Sequence, residues 1–262
     1  MAVEITRRGG QSGTLMPDQI ITITGATGLL GGALAARLAF RPGTRVIPIG
    51  RASSDEDRRD AIISADRIIH LAGVTRPSDP IEFASGNVGV TEQLADLVEQ
   101  GGRATPLAFA SSIRATETTP YGRTKRVAED VLIRLAERTG APLAIFRLPS
   151  FFGAWSRPYY NSAVATFCHE IAHGRPPSVR APHAPLTLVH LDDVVRAFLD
   201  WIDSPAPAIT FHRVEPSYIA TVGKVAELIQ GFADRGIADP SIDLADGLVR
   251  GLHQTYLAHL KS

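Results

Sequence analysis

Cysteine is almost absent from this 262-residue chain, in which Cys168 is the single example. One thiol excludes an intramolecular disulfide and a cysteine-rich zinc site, and it fits a reducing compartment such as the cytoplasm. An excess of either charge is also missing, because 27 Lys and Arg balance 27 Asp and Glu. This balance argues against a nucleic-acid-binding protein. No uncharged apolar run reaches about eighteen residues, so no membrane span is predicted.

The N-terminal residues 1–18 also lack a long apolar core, so they do not form a secretory signal peptide. We expect a flexible tail there. The whole composition, with 44% hydrophobic and 21% charged residues, is that of an ordinary globular protein. Its length suits one large domain or one domain with a small additional lobe.

Three glycines stand where an apolar strand is expected to meet a helix. Residues 20–24 are mostly β-branched, residues 33–40 are helix-forming, and Gly25, Gly28 and Gly31 lie between them. Gly25 would make the tight turn, Gly28 would let the backbone approach a pyrophosphate, and Gly31 would let the helix pack close to the strand. The spacing differs from that of the commonest dinucleotide-binding motif, and glycines after a strand can also form a turn that binds no ligand. Whether this turn binds a dinucleotide must therefore be judged from the rest of the chain.

The first half of the chain alternates between strand-like and helix-like segments. The predicted strands are residues 20–24, 44–49, 67–71, 106–110 and 143–148, and the predicted helices include residues 82–99 and 120–138. This β-α-β alternation predicts a parallel sheet with helices on both faces, the Rossmann-type doubly wound α/β fold. We therefore assign residues 19–149 to a dinucleotide-binding domain.

The composition changes in the second half of the chain, where prolines and aromatic residues cluster after Pro149. The predicted helices are residues 161–173, 192–202, 221–234 and 242–260, and the predicted strands are residues 186–189 and 209–212. We expect residues 150–262 to form a small substrate-binding lobe, with some elements packing back on the sheet.

Tyr121 and Lys125 lie four residues apart near the start of a predicted helix, so they share one face. A phenol with an ordinary pKa of about 10 transfers protons poorly at neutral pH, and a neighbouring ammonium lowers that pKa. The pair follows a strand that ends in Ser111 and Ser112, at the edge where open α/β sheets bind ligands. Because the pattern Y-x-x-x-K is common, a surface tyrosine and a solvated lysine are the alternative.

Arg51 follows the second strand, where NAD-preferring proteins usually place an acidic residue. From the start of the second strand, the first acidic residue is Asp55. Arg51, together with Ser53 or Ser54, suits the 2′-phosphate of NADP, which a guanidinium can bind through two hydrogen bonds. A solvated arginine at the end of a strand is the alternative.

Asp192 and Asp193 could suggest a metal site, but carboxylates at the start of a helix also cap it and match its dipole. The eight histidines show no ligand spacing. We therefore expect no metal site, and we interpret His70 and His190 as packing residues at strand ends.

Taken together, these motifs resemble the extended short-chain dehydrogenase/reductases that modify nucleotide sugars, the NAD-dependent epimerase/dehydratase family. The resemblance rests on the glycine turn, His70-Leu71-Ala72-Gly73, Ser111-Ser112, the Tyr121/Lys125 pair and His190-Leu191-Asp192-Asp193-Val194, and it covers about residues 19–260. Residues 147–168, 75–77 and 255–257 further resemble the members of that family that reduce a UDP-linked 4-keto-6-deoxy amino sugar for capsule synthesis.

The resemblance implies an oxidoreductase that reduces the C4 ketone of a nucleotide-linked 4-keto-6-deoxy sugar with NADPH, NAD being the other nicotinamide cofactor open to it. Ser112 would bind the carbonyl, Tyr121 would protonate it, and Lys125 would bind the nicotinamide ribose and tune Tyr121. Ser111 would pack or use its backbone. The implied cofactor-binding residues are Gly25, Thr27, Gly28, Leu29, Leu30, Gly31, Arg51, Leu71, Ala72, Gly73, Tyr121, Lys125, Pro149, Phe151 and Phe152.

The implied substrate-binding residues are Ser150, Arg157, Tyr160 and Asn161. The family often has Asn where this chain has Ser150, so the group that binds the sugar nucleotide there stays open. Arg157, Arg175 and Arg180 are candidates for the substrate diphosphate or are simply surface charges.

Other functions remain open at this point. One is a nucleotide-sugar epimerase, another is a reductase of a GDP-linked deoxyheptose, and a third is a non-catalytic NADP-binding sensor, which the intact Ser, Tyr and Lys set disfavours. The family also implies a homodimer through residues 82–99 and 120–138. The capsule relatives carry a C-terminal metal-binding cupin barrel, which the helical last forty or so residues cannot supply. We therefore expect a stand-alone, metal-independent reductase, whose ketosugar already has its stereochemistry set or has it set by a separate protein.

Overall fold

The structure, a computed structural model, describes residues 19–77, 79, 81–160, 162–204 and 208–260. Its strands are β1 (Gln19–Thr24), β2 (Thr44–Ile49), β3 (Arg67–His70), β4 (Leu107–Ser112), β5 (Leu143–Leu148), β6 (Ser150–Phe152), β7 (Pro185–His190), β8 (Ile209–His212) and β9 (Ser217–Thr221). Its α-helices are α1 (Leu29–Leu38), α2 (Asp55–Ser64), α3 (Val90–Gln100), α4 (Pro120–Thr139), α5 (Ala163–Ala172), α6 (Leu191–Asp203), α7 (Val222–Arg235) and α8 (Gly247–His259).

Six parallel strands form the main sheet in the order β2-β1-β3-β4-β5-β8. Successive side chains of a strand point to opposite faces, and both faces of this sheet are covered. Ile69 and Phe146 pack in a cluster with buried residues of α1 and α6, whereas Ile68 and Ile145 pack with α2, α3 and α4. The doubly wound parallel sheet predicted from the sequence is therefore confirmed.

A smaller sheet, in the order β6-β7-β9, lies in the second half of the chain. Its core contains Phe152 and Leu188 from the strands, with Phe167, Phe232 and Tyr256 from α5, α7 and α8. The second half also contributes β8 and α6 to the main sheet and its helical cover. No helix within the described ranges has the length and apolar character needed to cross a membrane.

Several elements differ from the sequence prediction. The predicted helix 82–99 consists of a π-helical turn, Ala84–Gly89, followed by α3, and the predicted helix 242–260 begins only at Gly247. Strand β4 continues through both serines, and the helix α2 and the strands β6 and β9 were not predicted. The predicted tail, residues 1–18, lies outside the described residues.

Candidate functional site

The strand order reverses between β1 and β3, and open α/β sheets bind ligands at such a switch point. Gly25 turns the chain there with φ at +71°, and a Cβ on it would lie 2.7 Å from the Ala72 nitrogen. A Cβ on Gly31 would lie 2.4 Å from the Gly25 carbonyl oxygen. Both glycines are therefore needed for the close contact of β1, α1 and the loop after β3.

The N-terminus of α1 is open toward solvent at Gly28, the exposed N-cap residue. Among the described residues no side chain caps this end, and its first turn contains no acidic residue. The unpaired N–H groups and the helix dipole together favour an anion such as a pyrophosphate. The turn therefore fits the phosphates of a dinucleotide.

His70, at the end of β3, joins this turn to α3 through an ordered chain of hydrogen bonds. Thr91 Oγ1 donates to the Asn87 carbonyl and therefore accepts from His70 Nε2, at 3.0 Å. His70 Nδ1 then accepts from Thr24 Oγ1 at 2.7 Å, and Thr24 Oγ1 accepts from the Ala72 N–H. The arrangement requires a neutral ring with its proton on Nε2, and it makes His70 a buried structural residue.

We predict that His70 makes folding sensitive to acid. Burial, with a further contribution from the charge of Lys125, lowers its pKa from 6.5 to about 3, so only the unfolded chain binds this proton between those values. The free energy of unfolding should therefore fall as the pH drops from 6.5 towards 3, by at most ~1.4 kcal/mol per pH unit from this group. Urea unfolding of His70→Gln should lack this slope, and the exposed His183→Gln should retain it. An identical slope in His70→Gln would contradict the assignment.

Asn87 fixes the loop that follows β3 by hydrogen bonds, and it was not predicted from the sequence. Its amide accepts from the Val74 N–H and donates to the Val74 carbonyl, both at 3.0 Å, and it also donates to Thr124 Oγ1. A Cβ on Gly73 would lie 2.7 Å from Asn87 Oδ1 and 3.6 Å from Lys125 Nζ. The loop is therefore fixed beside the predicted lysine.

Tyr121 and Ser112 are brought together at the carboxyl end of β4. A 3₁₀ turn, Ile113–Thr116, follows Ser112, and α4 begins directly against it: a Cβ on Gly122 would lie 2.3 Å from the Arg114 carbonyl oxygen. Thr119 caps α4 by accepting from the Gly122 N–H at 3.1 Å. The Ser112 side chain thereby comes close enough to Tyr121 to act on the pKa of its phenol.

Burial raises the pKa of Tyr121, and the neighbouring Ser112 side chain and the charge of Arg114 oppose this rise. The phenol therefore carries its proton at neutral pH. From the sequence, Lys125 was expected to act to lower this pKa. In the structure, the groups that act to lower it are Ser112 and Arg114. The Arg114 guanidinium lies 5.8 Å from the centre of the Tyr121 ring.

Lys125 is only 6% exposed, and its Nζ donates to the Ala110 carbonyl at 2.8 Å. The ammonium also lies 4.6 Å from the centre of the Phe109 ring. Burial lowers its pKa to about 8, against the opposing charge of Glu129. Lys125 is therefore held below the end of β4, one helical turn beyond Tyr121.

One expectation about a neighbouring residue needs correction, and one neighbouring residue was missed. Ser111 was expected to pack or to use its backbone, but its hydroxyl donates to the carboxylate of Glu129. Glu129 itself was missed, although a carboxylate among apolar positions of a helix, four residues after Lys125, is a signal that sequence reasoning could have used.

Arg51 lies exposed at the end of β2, and no hydrogen bond or ion pair of its side chain is found among the described residues. Its loop is held by Arg58, which donates to the carbonyls of Ser53, Gly50 and Arg51. Ser54 caps α2 and is engaged with Asp57. The backbone that presents Arg51 is thus fixed, while its guanidinium is available to a ligand.

The candidate site residues in the second half of the chain differ in their exposure. Ser150 is exposed on β6 beside Pro149, whereas the ring of Phe152 is fully buried in the core of the small lobe. Arg157 and Tyr160 are exposed, and within the described ranges no hydrogen bond or ion pair links them to Ser112, Tyr121 or Lys125. Asn161 lies outside the described residues.

Two further charged groups have structural partners. Arg175 forms an ion pair with Glu170 at 2.9 Å, and Arg196 forms one with Asp193 at 3.0 Å. His190 caps α6 by accepting from the Asp192 N–H. Within the part of the chain that the structure describes, no three His, Cys, Asp or Glu side chains converge as metal ligands do.

The switch-point turn, the open helix end and the serine and tyrosine at the same sheet edge define a dinucleotide-binding protein of the Rossmann class. The chain belongs to the NAD dependent epimerase/dehydratase family, whose model matches residues 21–212. The fold expected from the resemblance, and the family itself, are confirmed.

Individual relatives agree with this classification. The chain is 44% identical over 240 residues to UDP-2-acetamido-2,6-beta-L-arabino-hexul-4-ose reductase of Pseudomonas aeruginosa, covering 92% of this chain and 64% of that protein. The crystal structure of capsular polysaccharide assembling protein CapF from Staphylococcus aureus superposes with a TM-score of 0.80 at 31% identity, covering 92% of this chain and 65% of that one. The chain thus spans slightly less than two thirds of either relative.

A third comparison concerns the fold alone. UDP-glucuronic acid 4-epimerase from Bacillus cereus, in complex with NAD, superposes with a TM-score of 0.78 at 15% identity, covering 92% of this chain and 99% of that one. The described architecture therefore corresponds to nearly the whole of a structure that holds a nicotinamide dinucleotide.

Proposed function

We propose that this chain reduces the C4 ketone of a nucleotide-linked 4-keto-6-deoxy sugar, using NADPH, in the synthesis of a capsule or O-antigen polysaccharide. The observation that carries the proposal is the placement of Ser112, at the end of β4, and Tyr121, at the start of α4, together at the ligand-binding edge of the sheet, beside Lys125 and the glycine turn. The 44% identity to a reductase named for a UDP-linked 4-ketosugar supports the substrate class.

The residues present fit a nicotinamide dinucleotide. The turn from Gly25 to Gly31 would hold the pyrophosphate, Leu71 to Gly73 would lie along the cofactor, and Lys125 would donate to the nicotinamide ribose. Pro149 and Phe151 would line the nicotinamide pocket, with Phe152 contributing its backbone. When bound, the cofactor would supply a hydride to C4 of the sugar.

Ser112 and Tyr121 would act on the ketone oxygen. Ser112 Oγ would donate a hydrogen bond that orients the carbonyl, and Tyr121 would transfer its phenolic proton to that oxygen as C4 is reduced to an alcohol carbon. The raised pKa of Tyr121 keeps the donor protonated at neutral pH before the reaction. Lys125, held at the Ala110 carbonyl, would stabilise the phenolate that is left.

The substrate would lie between this edge and the small lobe. We assign its diphosphate and sugar to residues that follow β5, namely Ser150, Arg157, Tyr160 and Asn161, as a proposal that rests on the resemblance. A direct test is NADPH oxidation, followed by absorbance, with UDP-2-acetamido-2,6-beta-L-arabino-hexul-4-ose and a panel of other UDP- and GDP-linked ketosugars. Oxidation with UDP-linked 4-ketosugars supports the proposal, and oxidation with none of the panel opposes it.

We predict that Arg51 selects NADPH over NADH. Its exposed guanidinium can pair with a 2′-phosphate, so Arg51→Asp should lower kcat/KM for NADPH by about 10- to 100-fold and improve that for NADH. The measurement is the ratio of the two kcat/KM values. Arg45→Asp, within β2 and away from the carboxyl end of that strand, is the control and should keep the wild-type ratio. Equal use of both cofactors by the wild type would contradict the role of Arg51.

We also propose a homodimer in which α3 and α4 of each chain form a four-helix contact. The exposed outer face of α4 includes Val127, which is 43% exposed. Static light scattering at micromolar concentration should give twice the mass of one chain. The charged variant Val127→Glu should then give the mass of a single chain, and a wild-type monomer at that concentration would refute the proposal.

A further inference from the structure

Glu129 is a fully buried carboxylate that the proposed chemistry does not use, at 0% exposure on α4. Each of its carboxylate oxygens accepts a hydrogen bond from Arg147, one from Nε at 3.0 Å and the other from Nη2 at 2.7 Å. Ser111 Oγ donates to the same group. Such two-pronged charge-assisted bonds fix geometry strongly, and a buried charge that loses its partner is costly.

The three groups join the two strands beside the site to the helix that carries Tyr121. Ser111 and Arg147 are directly opposed in the register of β4 and β5. Glu129 bonds to both, and one turn earlier on the same helix Lys125 bonds to the carbonyl of Ala110, the residue before Ser111. The helix is therefore attached to β4 at two successive residues immediately before Ser112.

We propose that Glu129 is a positioning residue that sets α4 against the end of β4, so that Ser112, Tyr121 and Lys125 meet the same substrate. The proposal rests on the proposed reduction. Its effect passes through Ser111 and Lys125, because Glu129 itself faces Arg147 and the strands.

The electrostatics around Lys125 agree with this role. Burial lowers the pKa of Lys125 to about 8, and the negative charge of Glu129 acts in the opposite direction. From β3, His70 also faces Lys125, but it is held neutral. Glu129 in turn raises the pKa of Arg147, whose side chain is 24% exposed. Removing the charge of Glu129 should therefore make Lys125 lose its proton at lower pH.

Lys125 can be observed directly, because the chain contains only three lysines, Lys125, Lys224 and Lys261. With ¹³Cε-labelled lysine, an NMR pH titration should resolve the signal of Lys125, assigned by its loss in Lys125→Met. In Glu129→Gln the midpoint should move down by about one pH unit or more. In the same variant kcat should fall about 10- to 100-fold, with a smaller change in KM for the sugar.

The control is Glu99→Gln, which removes another carboxylate paired with an arginine, at 2.6 Å between α3 and α4, but far along the helix from Tyr121. It should leave the titration and kcat unchanged. Glu129→Asp restores the charge and should recover most of the Lys125 midpoint. If Glu129→Gln does not fold, Ser111→Ala removes one bond and leaves the ion pair, and its kcat should fall about fivefold at unchanged KM.

A folded Glu129→Gln whose Lys125 midpoint and kcat match the wild type would overturn the proposal, as would an unchanged kcat in Ser111→Ala. The titration needs neither cofactor nor sugar. Failure of the wild type to oxidise NADPH with any ketosugar would instead overturn the proposed function, so the two failures are distinguishable.

Discussion

Tyr121→Phe should reduce kcat for NADPH-dependent ketosugar reduction by about 10²- to 10⁴-fold, the range of a positioned proton donor. The phenol is half-buried, lies beside Ser112 and is protonated at neutral pH, and phenylalanine keeps the ring but has no proton to give. Steady-state kinetics would measure the loss. Fluorescence titration with NADPH should show a dissociation constant within about threefold of the wild type.

Tyr218→Phe is the matched control, because Tyr218 lies on β9 in the small sheet, away from β4. It should keep kcat within about twofold of the wild type. A Tyr121→Phe variant with near-normal kcat would remove Tyr121 from the reaction and leave the Ser112–Tyr121 pair as a structural contact.

Gly31→Ala should strongly weaken dinucleotide binding, the second large effect. The added Cβ would lie 2.4 Å from the Gly25 carbonyl oxygen and 2.7 Å from the Ala26 Cα, both backbone atoms, so α1 and the turn must separate. The displaced helix end would no longer direct its N–H groups at the phosphates. We expect an increase of more than tenfold in the NADPH dissociation constant, with a loss of stability of about 1–3 kcal/mol from the overpacking.

The neighbouring Gly32→Ala provides a close control. Gly32 is exposed on the same helix, and its Cβ would make only an ordinary contact, 3.7 Å from the Ala26 carbonyl oxygen. Because alanine favours helix, this variant should bind NADPH normally and be equally or slightly more stable. Equal binding by the two variants would show that the turn does not hold the phosphates.

The sequence predicted the central strands well because buried parallel strands are short apolar runs with little ambiguity. Strand β5 was predicted with its observed bounds, as was β2. By contrast, α2 has the polar sequence DEDRRDAIIS, and what starts it is a local capping box between Ser54 and Asp57. Strand β9 is paired with β7, about thirty residues away, and such distant pairing leaves little local signal.

In the candidate site, too, the features that depend on neighbouring residues were predicted, and those that join separate elements were not. The glycine turn and the spacing of Tyr121 and Lys125 were visible, because they depend on one turn or one helix. The influence of Ser112 and Arg114 on the pKa of Tyr121 was missed, because these residues come from the preceding strand and turn. Glu129 lies on α4 and was missed because its partner Arg147 belongs to a separate element, the strand β5.

The central claim is hydride transfer to the C4 ketone of a nucleotide-linked sugar. The most direct test uses NADPH carrying two deuterium atoms on nicotinamide C4, with UDP-2-acetamido-2,6-beta-L-arabino-hexul-4-ose as substrate and mass and NMR analysis of the product. We predict one deuterium on C4 of the sugar for each NADPH oxidised. A product without deuterium at C4, or solvent-derived deuterium at the carbons beside the ketone in D₂O without NADPH oxidation, would contradict a reductase, the latter result indicating an epimerase.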